Sequence, residues 1–165
     1  MINKKLRERL KKAAGVLLPL TPVILAALLL LPAFIGWHSF VVLSGSMEPV
    51  CHTGSLLYVR PATPQQVKAG EIITFIGHTG EPVTHRVAEV DTAHEFFITK
   101  GDANLTTDPI PVSFSALVGK AVFSIPLLGY LSLFVKSAAG MVALGLAVLT
   151  AVVLCLWPKK EKPKT

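Results

Sequence analysis

The sequence predicts a membrane protein in which a mostly-β extracytoplasmic domain lies between two transmembrane α-helices. Three observations predict it: 52% apolar against 16% charged residues over 165 positions, two long uncharged apolar runs near the ends, and short β-rich runs between them. Soluble domains carry roughly 25% charged residues, so a share of 16% already points to lipid. The apolar content excludes a disordered chain, and two cysteines, Cys51 and Cys155, are too few for a disulfide-stapled miniature fold. The formal net charge of +6 sits at the ends: residues 1–12 carry +5, residues 158–165 carry +3, and everything between is at −2.

In chain order, residues 1–15 form a basic N-terminus and residues 16–37 the first expected span, since no Asp, Glu, Lys or Arg occurs from Ala13 until Glu48. Prolines 19, 22 and 32 are tolerated near the ends of membrane helices, and Trp37 stands where interfacial aromatics are expected. The apolar stretch is longer than a signal-peptide core and no clear small-x-small site follows Leu31, so an uncleaved signal anchor is expected. Residues 38–136 form the extracytoplasmic domain, with strands expected at 40–43, 55–60, 71–76, 83–90, 95–100 and 117–124. Gly45, Gly54, Pro61 with Pro64, and the stretches 77–82 and 101–111 separate them. Residues 125–136 are apolar and are expected at the membrane interface or as an outward extension of the second helix.

Residues 137–157 are the second expected span, because 21 residues at ~1.5 Å each reach ~31 Å, the thickness of a hydrocarbon core. Residues 158–165 form a basic tail. The positive-inside rule then puts both termini in the cytoplasm and the middle outside, a multi-pass protein of the cell membrane. Anionic lipid headgroups account for the basic ends better than nucleic acid does.

Three short segments of the middle domain could carry chemistry: 44–49 (SGSMEP), 84–87 (THRV) and 100–104 (KGDAN) with Asp108 beyond it. A serine hydroxyl is a weak nucleophile until a base takes its proton, imidazole has a pKa suited to that, and a carboxylate orients the imidazole. On chemistry alone a second reading stands beside this one. Ser46 is equally a turn residue, His85 an exposed strand residue, and Asp102 and Asp108 loop caps.

The order and spacing of SGSMEP, GEIITF at 70–75, THRV, TKGDAN at 99–104 and IPLLGY at 125–130 resemble type I signal peptidases of the endoplasmic-reticulum type, the branch that includes the SipW-like enzymes. The resemblance covers about residues 40–129. It implies a signal-peptidase-like β fold with Ser46 as nucleophile and His85 as general base, at a position that is lysine in the common bacterial branch. It implies that Ser44 helps the backbone N–H of Ser46 form the oxyanion hole. Asp108 matches the acid of the Ser-His-Asp arrangement and Asp102 a carboxylate of the Gly-Asp-x-Asn signature, with Asp108 ranked ahead as the partner of His85. Ser55 departs from the pattern, which usually has aspartate after this glycine, and Cys51 has no family role. With Cys155 near the inner membrane face, a Cys51–Cys155 disulfide is excluded by the expected topology.

No cofactor is implied. His38, His52, His78 and His94 show no HExxH, HxH or CxxC spacing with other ligands, so no metal is expected. The N-x-T sequon at Asn104 falls in the expected catalytic loop, which argues against its glycosylation. The function implied is a membrane-bound serine endopeptidase that removes N-terminal signal peptides from exported preproteins. Its expected partners are those preproteins, the lipid bilayer and the protein-export machinery, with no nucleic acid. Ser46 follows Phe34 by a dozen residues, which is expected to hold the nucleophile near the outer bilayer surface. Two alternatives remain open at this level: a membrane-anchored serine protease acting on mature envelope proteins, and an inactive anchored β domain that binds envelope or matrix proteins.

Overall fold

A computed structural model describes residues 32–156. A helical turn at 32–34 leads into β1 (His38–Val41), followed by β2 (Leu56–Arg60), β3 (Ile72–Ile76), β4 (Pro82–Asp91), β5 (Phe96–Lys100), β6 (Val112–Ser113) and β7 (Leu117–Ile125). Helices α1 (Leu128–Lys136) and α2 (Ala138–Leu156) close the described chain. The strands form one seven-stranded sheet in the order β1-β2-β7-β3-β4-β5-β6, with every neighbouring pair antiparallel.

Why these residues make these strands is clearest in β2. Leu56, Leu57, Tyr58 and Val59 are all buried, and a strand covered on both faces reads as an unbroken apolar run. Leu57 and Val59 pack with Met47 and Cys51, while Leu56 and Tyr58 pack with Leu128 of α1. A third cluster, Val67, Ile73, Phe75, Val87, Phe97 and Val112, lies under β3 to β6. Register shifts between Tyr58 and Val59, Thr74 and Phe75, and Val87 and Glu89 bend the sheet. Helix α1 seats its N-terminus on the loop before β2: Gly129 N–H donates to Gly54 O at 3.0 Å. A Cβ at position 129 would lie 2.6 Å from both Gly54 O and Ser55 O, so only glycine fits there.

The expected pair of transmembrane helices is corrected here. Among the described residues no helix is long and apolar enough to cross a membrane. Of the first expected span, 16–37, residues up to 31 lie outside the described residues, as do the basic ends. The second apolar stretch does not run on from α1 as one helix. It breaks at Ser137, whose backbone is extended (ψ 156°) and whose hydroxyl donates to Phe134 O at 2.6 Å and accepts from Gly140 N–H at 3.1 Å. The serine therefore ends α1 and caps α2. What remains is a helix of 19 residues, ~28 Å long against a core of ~30 Å. The expected multi-pass membrane localisation needed two such spans, and the described residues hold none.

Candidate active site

Ser46 stands on the turn that leaves β1. The ladder between β1 and β2 continues through Val42 N–H to Ser55 O at 2.9 Å and Gly54 N–H to Val42 O at 2.8 Å, and Glu48 N–H to Gly45 O at 3.0 Å then closes the turn. Met47 is 2% exposed and plugs into the Cys51–Leu57–Val59 cluster. Burying Met47 fixes the turn and leaves the half-buried Ser46 beside the cleft. The Gly-Asp-x-Asn loop braces this turn from behind: Ala103 N–H donates to Ser46 O at 2.9 Å. A Cβ on Gly101 would lie 2.7 Å from that same carbonyl, which is why the loop needs glycine there.

His85 occupies β4 opposite Ile73 of β3, with its side chain 12% exposed and the Phe75 ring edge-on at 6.4 Å. Its Nε2 lies 3.1 Å from Ser46 Oγ and its Nδ1 2.6 Å from Asp108 Oδ2. With Nδ1–H donating to the carboxylate, Nε2 is the acceptor for the serine hydroxyl. Ser44 Oγ is 3.3 Å from Ser46 Oγ, on the same turn. Asp102 is elsewhere. It forms a two-pronged ion pair with Arg86, Nε to Oδ1 at 2.7 Å and Nη2 to Oδ2 at 2.6 Å, while Arg86 Nη1 donates to Gly70 O at 2.7 Å. The Asp102 carboxylate accordingly raises the pKa of the Arg86 guanidinium. The structure thus joins Ser46, His85 and Asp108 in one line of hydrogen bonds and gives Asp102 to the strand residue next to the histidine.

A cleft of about 650 Å³ opens over Ser46 and His85. Residues 39–44 and 81–84 line it, together with Leu133 and Lys136 of α1. β1 is an edge strand of the sheet, so it can pair with an extended peptide lying in the cleft.

No family model matches the chain. Over 85 residues it is 42% identical to signal peptidase I W of Bacillus subtilis (strain 168), a match covering 50% of this chain and 45% of that protein. It is 43% identical over 72 residues to human signal peptidase complex catalytic subunit SEC11C, covering 41% of this chain and 38% of that protein. The putative human subunit SEC11B is 39% identical over 72 residues, covering 41% and 43%. The chain's relatives are signal peptidases. Its matches span less than half the length of each of these three relatives. The resemblance to the SipW and SEC11 branch of type I signal peptidases therefore has sequence identity behind it as well as motif order.

Against that signal-peptidase background the remaining side chains fall into place. Cys51 is 4% exposed, burial raises its thiol pKa, and it packs among the lining of the cleft. Ser55, where the family pattern has aspartate, is fully buried, and its hydroxyl has no hydrogen-bond partner among the described residues. His52 pairs with Glu48, and His94 with Asp91 at 2.9 Å. Among the described residues no group of three or more His, Cys, Asp or Glu is placed to hold a metal ion. Sequence reasoning passed over two residues of the site, Arg86 and Thr99. Both lie inside the motifs THRV and TKGDAN. The available signal was a cation beside the candidate histidine in β4 and a hydroxyl directly after the apolar run 96–98 in β5.

Proposed function

We propose that this chain is a signal peptidase, a serine endopeptidase that hydrolyses the bond between an N-terminal signal peptide and an exported preprotein. The observation that carries the reading is the hydrogen-bonded line Ser46–His85–Asp108 at a cleft sized for an extended peptide. Ser46 Oγ attacks the scissile carbonyl carbon while its proton passes to His85 Nε2. Asp108 holds the imidazole in the accepting tautomer and stabilises its charged form. The Ser46 N–H and the Ser44 hydroxyl take the developing oxyanion. Return of the proton to the leaving amine gives the acyl-enzyme, and water activated by the same imidazole releases the signal peptide. Small residues at the first and third positions before the bond fit this reading. Export machinery and a lipid surface are the further partners it calls for.

The test compares a preprotein with its own mature form as substrates for the full chain. Cleavage only of the preprotein, at the signal junction, and its loss in Ser46→Ala are expected. Equal cleavage of the mature form would convert the reading to a protease of mature proteins, and cleavage surviving Ser46→Ala would end it.

A further inference from the structure

Thr99 is a hydroxyl set into an apolar surface. It lies on β5 opposite Val87, two residues from Phe97, and both it and Phe97 are fully buried. A buried hydroxyl is kept in such a place by a partner, and the partner here is Asp108. Thr99 Oγ1 donates to Asp108 Oδ2 at 2.6 Å, the same oxygen that accepts from His85 Nδ1 at 2.6 Å. The main chain repeats the link, since Asp108 N–H donates to Thr99 O at 2.7 Å. Residues 103–107 before Asp108 are exposed. One sheet residue thus fixes both the backbone and the carboxylate of an aspartate that arrives on a surface loop.

We infer that Thr99 is a positioning residue for hydrolysis: it locks Asp108 Oδ2 against His85 Nδ1 and so keeps Nε2 free to accept the Ser46 proton. The inference rests on the signal-peptidase reading for the roles of Ser46, His85 and Asp108. The terminal torsion of an aspartate is broad, and without the threonine donor nothing in the sheet selects the rotation that faces Oδ2 to the ring. Thr99 and Asp108 are outside the lining of the cleft, so the effect falls on turnover and spares substrate binding.

The test uses the full chain and two readouts, the rate at which a fluorophosphonate labels Ser46 and the kcat and KM for a preprotein. Thr99→Val removes the hydroxyl at nearly constant volume, and Thr99→Ser keeps it. A hydrogen bond to a charged group is worth roughly ten- to a hundredfold in rate, so Thr99→Val should lose that factor in labelling and kcat with KM within about twofold. Thr99→Ser should stay within about threefold of wild type on the same scale. If the valine variant does not fold, Thr99→Ala against Thr99→Ser makes the same comparison. A hydroxyl-free variant that labels as fast as wild type, or a serine variant as slow as it, overturns the inference. Wild type labelled at Ser46 without preprotein cleavage refutes the substrate reading while the labelling rates still judge Thr99. Wild type not labelled at Ser46 overturns both.

Discussion

Asp108→Ala and Asp102→Ala are expected to fail in different ways, and the contrast tests the division of labour between the two carboxylates. Asp108 sits 2.6 Å from His85, with the two side chains 19% and 12% exposed. Opposite charges about 4 Å apart in surroundings of intermediate dielectric attract by about 4 kcal/mol, and that attraction appears only when His85 takes the serine proton. Its loss, with the loss of ring orientation, corresponds to a fall in kcat of roughly 10³- to 10⁴-fold. Asp102 instead holds Arg86, whose side chain is 35% exposed. Solvent reaches that pair, so its removal should cost about 1–2 kcal/mol of stability, a drop in Tm of roughly 3–10 °C. The Ser46 turn keeps its bond from Ala103 N–H, so kcat should change by less than about tenfold. Preprotein cleavage at saturating substrate, together with thermal denaturation of each variant, reads both effects. If Asp102→Ala, while folded, loses more kcat than Asp108→Ala, the assignment of the two aspartates is wrong.

Two further outcomes follow from other contacts. Gly101→Ala puts a Cβ 2.7 Å from the Ser46 carbonyl, a backbone atom that cannot step aside without moving Ser46; for the proposed role of Ser46 a displacement near 1 Å costs on the order of a hundredfold in kcat, and a variant with unchanged kcat would refute the brace. For Glu71, the hydrogen bond from Lys120 holds the carboxyl below its ordinary value of 4.5. A depressed folded-state pKa gives stability that is full above the ordinary value and lost as pH falls through the lower folded one. Glu71→Gln should therefore be less stable than wild type at neutral pH by at most about 1 kcal/mol, with the gap closing as the pH drops below 4.5. Urea midpoints across that range check it, and a gap independent of pH would contradict the pairing.

The strands were legible because their signals are local. Alternation or unbroken apolar runs, bounded by glycine and proline, put the six expected strands within two residues of those observed at every end. β6 escaped notice. It is two residues long, follows Pro111, and exists only because Phe96 and Phe97 offer an edge for Ser113 and Val112 to pair with. The break at Ser137 falls at the start expected for the second span, but the sequence left open whether residues 125–136 extend that helix outward. Hydropathy averages over a helix end, whereas a capping serine acts through two hydrogen bonds of its own.

The pairing of the aspartates shows where the sequence stops. Asp102 and Asp108 share one loop, and nothing periodic in residues 101–111 says which of them meets His85. What separates them is the strand opposite. His85 and Arg86 are consecutive residues of β4, paired with Ile73 and Ile72 respectively, and consecutive strand residues point to opposite faces. A single carboxylate cannot serve both. The histidine needs an acceptor on its own face, where the β5 register also places Thr99 beside Val87, and Asp108 reaches it there. The arginine on the other face needs its own anion, and Asp102 supplies it while the next residue but one from Gly101, Ala103, holds the Ser46 carbonyl. One loop thereby ties down both neighbours in β4 and the Ser46 turn, which is why a motif that reads as one signature contains one carboxylate paired with an arginine and is followed by another that faces the imidazole.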